Sequence, residues 1–86
     1  MSLTAADRMA RMIAASRAED GCLAYSYSID VLDETLIHVF EVWRDEAVFA
    51  AHVDTARLKA WRAAWDEIGL SDRDIMKYEI GVHTPV

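Results

Sequence analysis

The stretch Glu41–His52, EVWRDEAVFAAH, decides the fold. It starts as a strand and ends as a helix. In FEVW (40–43), Phe40 and Val42 point one way and Glu41 and Trp43 the other. The charged step Arg44-Asp45-Glu46 stops that run, and its two acids suit the positive end of a following helix. AVFAAH then continues with helical spacing. Two residues are unusual for their positions. Glu41 puts a carboxylate on an otherwise apolar strand, and His52 stands on an apolar helix face. A carboxylate there needs a partner. Arg44, Arg57, Arg62 or a backbone amide can supply it, and a structural ion pair is preferred over a catalytic role.

Upstream, LIHVFEVW (36–43) completes the strand, with Leu36, His38, Phe40 and Val42 on one face and Ile37, Val39, Glu41 and Trp43 on the other. Both faces are mostly apolar, so both are expected to be covered. The run CLAYSYSIDV (22–31) alternates through Leu23, Tyr25, Tyr27, Ile29 and Val31, and LDET (32–35) can close the two strands into an antiparallel hairpin. Before it, Thr4–Ala18 reads as a helix. Thr4 can cap it with Asp7 in a capping-box position, and Met9, Met12, Ile13 and Ser16 share one face. Gly21 is the stop signal.

Downstream, 45–68 reads as a helix broken near Asp54-Thr55. Val48, Ala51, His52, Thr55, Leu58, Trp61, Trp65 and Ile68 share one face, and Gly69 ends it. A last strand is expected over 75–82, with Met76, Tyr78, Ile80 and Val82 on one side and Lys77 and Glu79 on the other, a half-polar pattern that suits a sheet edge. The order helix-strand-strand-helix-strand is that of a ferredoxin-like β-α-β-β-α-β unit whose first strand is absent from this chain.

The 86 residues are expected to form one domain, 1–86. A chain this short buries only roughly 60–65% of its unfolded surface. Yet 53% of its residues are hydrophobic, so some apolar surface is expected to hide against a second copy of the chain. Nine basic against fifteen acidic residues give a net charge of −6. That argues against nucleic acid and anionic membranes as partners, because both need a basic face. The single cysteine, Cys22, excludes an internal disulfide and suits the cytoplasm; it reads as a packed residue rather than a nucleophile. No apolar run is long enough to span a bilayer, and no signal peptide is visible.

The segments RAEDGCLAYSYSID (17–30) and FEVWRDEAVFAAHVDTARLKAW (40–61) resemble the antibiotic biosynthesis monooxygenase family. The resemblance rests on Arg17, Glu19, Gly21, Cys22 and Tyr25, then Glu41 and Trp43, then Ala47 or Ala51 with His52, and runs from about residue 3 to residue 80. It implies an α+β fold, a ferredoxin-like sandwich that pairs into a dimeric α/β barrel. The implied homodimer forms through the sheet face, and a ligand pocket lies between sheet and helices. It also implies oxygenation of a quinol or aromatic substrate without a cofactor; related members degrade haem. Two features depart from the family pattern. The usual first strand, which often lends a polar residue to the pocket, is missing. Where many members have Thr-x-His after the helix break, this chain has Thr55-Ala56-Arg57.

Oxygenation without metal or flavin needs an electron-rich substrate made reactive by deprotonation. The protein must supply a base, an oxyanion partner and a dry pocket. His52 is the candidate base, and a core or interface histidine with one hydrogen bond is the plainer alternative. Trp43, Tyr25, Tyr27 and Trp61 are the candidate substrate-binding residues, since aromatic walls suit planar ligands; for Trp61 and Trp65, simple core packing is the competing reading. His38 lies on the strand face opposite Glu41 and is expected at the dimer interface, whereas His83 is expected in solvent. No metal is expected, because the histidines at 38, 52 and 83 form no close pair. No phosphate loop or dinucleotide fingerprint is present, so no cofactor is expected. A non-catalytic ligand-binding or structural dimer, or a haem-binding relative with His52 as ligand, are the rival functions.

Overall fold

A computed structural model describes residues 4–81 and 84–86, the side chain of Ile68 excepted. Val82 and His83, read above as strand and solvent positions, and the helix-face side chain of Ile68 lie outside the described residues.

Helix α1 spans Ala5–Arg17. Thr4 opens it with a complete capping box: the Asp7 amide donates to Thr4 Oγ1 at 3.0 Å and the Thr4 amide to Asp7 Oδ2 at 3.3 Å. Met12 and Ser16 are buried on the expected face, with Met9 and Ile13 packed beside them. The chain then turns through Gly21, at φ +83°, into β1 (Cys22–Ile29). Strand β2 (Ile37–Trp43) runs back antiparallel, with Tyr25 opposite Glu41, Tyr27 opposite Val39 and Ile29 opposite Ile37.

The alternation breaks at Leu23. A bulge between Cys22 and Ala24 throws Leu23 out of register, and it is exposed rather than in line with Tyr25 and Tyr27. The connection between the strands is also longer than LDET. Asp30 Oδ1 accepts from the amides of Leu32 and Asp33, and Asp30 N donates to Leu36 O.

The second helical region is three helices: α2 (Glu46–Val53), α3 (Ala56–Ala63) and the single turn α4 (Trp65–Ile68). Asp45 caps α2 through the Val48 amide. The expected break falls at Asp54-Thr55. Thr55 Oγ1 donates to His52 O at 2.8 Å and accepts from Leu58 N at 3.2 Å, so one side chain ends α2 and starts α3.

The fold is α+β. The helices cover one face of the hairpin, and the core there is Met12, Tyr25, Leu58 and Trp61. The order α-β-β-α is the inner part of a ferredoxin-like unit. The opposite hairpin face carries Ala24, Ser26, Ser28, His38, Phe40 and Val42, and Phe40 is 61% exposed. Only one of the two faces expected to be covered is therefore covered within a single chain.

The last strand expected over 75–82 does not form across its described residues, 75–81. A strand exists by ladder bonds to a neighbour, and the described sheet has two strands, β1 and β2. Ile75, Met76, Tyr78 and Ile80 stay exposed. The segment is fastened by its charges instead: Lys77 bonds Glu46 at 2.7 Å, and Arg73 lies 5.3 Å over the Trp65 ring. Among the described residues, no helix is long and apolar enough to cross a membrane.

Candidate active site

The site is built where the last turn of α2 meets the covered face of the hairpin. Helical spacing brings His52 onto the inner side of α2, and the pleat turns Tyr25, Tyr27, Glu41 and Trp43 toward it. His52 is 2% exposed. Its ring lies 4.5 Å from that of Trp43 and 5.6 Å from that of Tyr25, between centroids. Tyr25 continues to Tyr27 at 5.7 Å, with 3.4 Å between hydroxyls, and Trp61 Nε1 donates to the Tyr27 hydroxyl at 3.1 Å. All five residues singled out in the sequence thus belong to one cluster. Trp61 is both a core residue and a polar contact of that cluster.

Both imidazole nitrogens face carboxylates. Nδ1 lies 2.7 Å from Glu19 Oε2, and Nε2 lies 3.8 Å from Glu41 Oε1. Glu19, in the turn after α1, also accepts from the Arg57 guanidinium on α3. Arg57 stands where the family pattern often has a histidine, and here it binds Glu19. Glu41 finds none of the three arginines weighed for it. Its Oε1 accepts from the Trp43 indole at 3.0 Å instead, because side chains two apart on a strand share a face. Arg44 turns outward to Asp20 and Asp45.

Glu19 was not singled out as a site residue by its surroundings in sequence. It follows a helix among charged neighbours, where solvation is the usual outcome. Its place in the Arg-x-Glu-x-Gly-Cys pattern was the only signal.

Burial, and next the hydrogen bond with Tyr27, push the Tyr25 phenol well above its ordinary value. Tyr25 is therefore a neutral hydroxyl rather than a base. The Cys22 thiol is also raised, first by burial and then by Glu19 and Glu41, which opposes a thiolate nucleophile. Among the described residues, no three His, Cys, Asp or Glu side chains gather as metal ligands.

His52 and Tyr25 are shut off from solvent in the single chain. A shallow hollow bordered by Arg17, Cys22, Leu23 and Ser26 reaches Tyr25 but not His52. A second, over Phe49, Ala50, Val53 and Lys59, reaches none of the five. Trp43 and Tyr27 are half-buried and are the members of the cluster nearest to solvent on the hairpin.

The arrangement can hold a buried imidazole with one nitrogen bonded to a carboxylate, beside aromatic rings and a hydroxyl pair. Residues 4–64 match the sequence profile described as antibiotic biosynthesis monooxygenase. A crystal structure of a candidate antibiotic biosynthesis monooxygenase from Deinococcus radiodurans superimposes with a TM-score of 0.86 at 24% identity, covering 92% of this chain and 78% of the other. At that identity the likeness speaks for the fold. No curated protein matches the chain.

Proposed function

Because the chain belongs to the antibiotic biosynthesis monooxygenase family, we propose that it is a cofactor-independent monooxygenase or oxidase acting on a small aromatic or quinol-type substrate. The observation that carries this reading is the buried His52 ring, bonded through Nδ1 to Glu19, packed at a tilt on Trp43 and set edge-on to Tyr25. His52 takes a proton from the substrate hydroxyl. The Tyr25–Tyr27 hydroxyl pair faces the charge that develops on oxygen, and Trp43 and Trp61 flank the planar ring.

The substrate anion then supplies all four electrons that reduce dioxygen. One oxygen atom becomes a new ring carbonyl, and the other leaves as water with two substrate hydrogens. Entry requires displacement of Trp43 or Tyr27, and the resulting site excludes water. The proposal includes a homodimer that covers the outer hairpin face.

A second reading has its own support. His52 and Tyr25 are each 2% exposed, as in a filled core, which suits a non-catalytic ligand-binding or structural dimer. Oxygen consumption by metal-free protein, with hydroquinones and hydroxylated polycyclic aromatics, separates the two. The oxygenase reading expects turnover that His52→Gln lowers on the order of 10²–10⁴-fold. Turnover unchanged in the variant removes His52 from the chemistry. No turnover with any compound, in a folded protein, favours the second reading.

A further inference from the structure

A histidine base works through one nitrogen, so the other must keep its proton. The two nitrogens of His52 are not equivalent. Nδ1 is 2.7 Å from Glu19 Oε2, whereas Nε2 is 3.8 Å from Glu41 Oε1, beyond hydrogen-bond length. An ionised carboxylate only accepts, so the short contact needs a proton on Nδ1. Glu19 is itself held in place. Its Oε1 accepts from Arg57 Nη2, and its side chain is only 18% exposed. Glu41 is meanwhile occupied by the Trp43 indole. Three separately positioned pieces of chain converge here: the turn after α1, the end of α2 and the start of α3.

We propose that Glu19 and Arg57 are a positioning pair for His52. Glu19 selects the Nδ1–H tautomer and leaves the Nε2 lone pair as the basic atom, and Arg57 fixes the carboxylate that does this. The inference rests on His52 as base. In the step it serves, the substrate O–H proton moves to Nε2 and its electron pair stays on the substrate oxygen. The imidazolium formed lies between Glu19 and Glu41. Neither Glu19 nor Arg57 needs to touch the substrate.

The test is a long-range proton–nitrogen NMR correlation on ¹⁵N-histidine-labelled protein carrying His38→Gln and His83→Gln, so that His52 alone is seen. The expected result is a proton on Nδ1 that exchanges slowly with water. Glu19→Met keeps the length and removes the acceptor, and without that acceptor the proton should move to Nε2, on the side of Glu41. Arg57→Met should leave the proton on Nδ1 and shorten its lifetime. With a turned-over substrate, Glu19→Met should lower kcat on the order of 10²-fold while KM changes less than about twofold.

An Nε2–H ring in the parent protein, or an unchanged tautomer in Glu19→Met, overturns the proposal. Should Glu19→Met fail to fold, the parent and Arg57→Met still decide, since an Nε2–H ring in the parent, or an Nδ1–H lifetime unchanged in Arg57→Met, sinks the pair. An Nδ1–H ring in a protein inert toward every substrate upholds the positioning pair and removes the oxygenase reading instead.

Discussion

Nδ1 of His52 lies 2.7 Å from Oε2 of Glu19, although 33 residues separate them in the chain. The bond ties the turn after α1 to the end of α2, and Arg57 draws α3 into the same contact. A buried imidazole and carboxylate in this relation satisfy one another, and removing Glu19 takes from His52 its hydrogen-bonded partner. The same contact therefore joins the packing of three elements to the chemistry proposed for His52.

Tyr25 should make the protein sensitive to alkali. Burial raises its phenol above the ordinary value of 10.0. A raised folded pKa contributes stability that is complete below the unfolded value and lost as pH rises beyond it. Melting temperature should fall above about pH 10, and Tyr25→Phe should flatten that fall. Thermal melts between about pH 8 and 11 check this. An equally steep decline in the variant assigns it to other groups.

The opposite sign applies to Asp45. The Val48 amide, as the largest cause, holds its carboxyl below the ordinary value. Its contribution is present above the unfolded pKa and lost as pH falls through the folded one. Asp45→Asn should lose stability at neutral pH and show a shallower decline below about pH 4. Parallel acid titrations of the two proteins, followed by helical circular dichroism, give the comparison.

Gly21 has two reasons to be glycine. Its φ is +83°, and a Cβ there would sit 2.8 Å from Val48 Cγ1. Gly21→Ala should cost roughly 1–3 kcal/mol in urea unfolding. Adding Val48→Ala should relieve the steric part and leave the backbone part. A double variant no better than the sum of its singles would exclude the clash as a cause.

Phe40 tests the dimer. It is 61% exposed at the centre of the outer hairpin face, opposite Ser26 and beside His38. Sedimentation of the parent protein should show a dimer at micromolar concentration, and Phe40→Glu should shift it to monomer with the helical signal intact. A dimer that survives this change forms through another surface.

Much of the fold can be read in sequence because its determinants are local. The Thr4–Asp7 capping box, the Thr55 break and the Tyr25–Tyr27 alternation each depend on residues a few positions apart. The aromatic cluster around His52 follows from the same periodicities, once both faces are known. Leu23 escaped that logic because a bulge depends on the register of two strands. Residues 75–81 escaped it because apolar alternation needs a neighbouring strand to become a ladder.

By itself, then, the sequence determined the first helix, the hairpin and the helix break at Thr55, and which of their faces are apolar. Only the tertiary structure decided the partners: Glu19 for His52, Trp43 for Glu41, and Arg57 for Glu19. Periodicity specifies the direction in which a side chain leaves its own element. A hydrogen bond across 33 residues depends on how separate elements pack, to within a few tenths of an ångström.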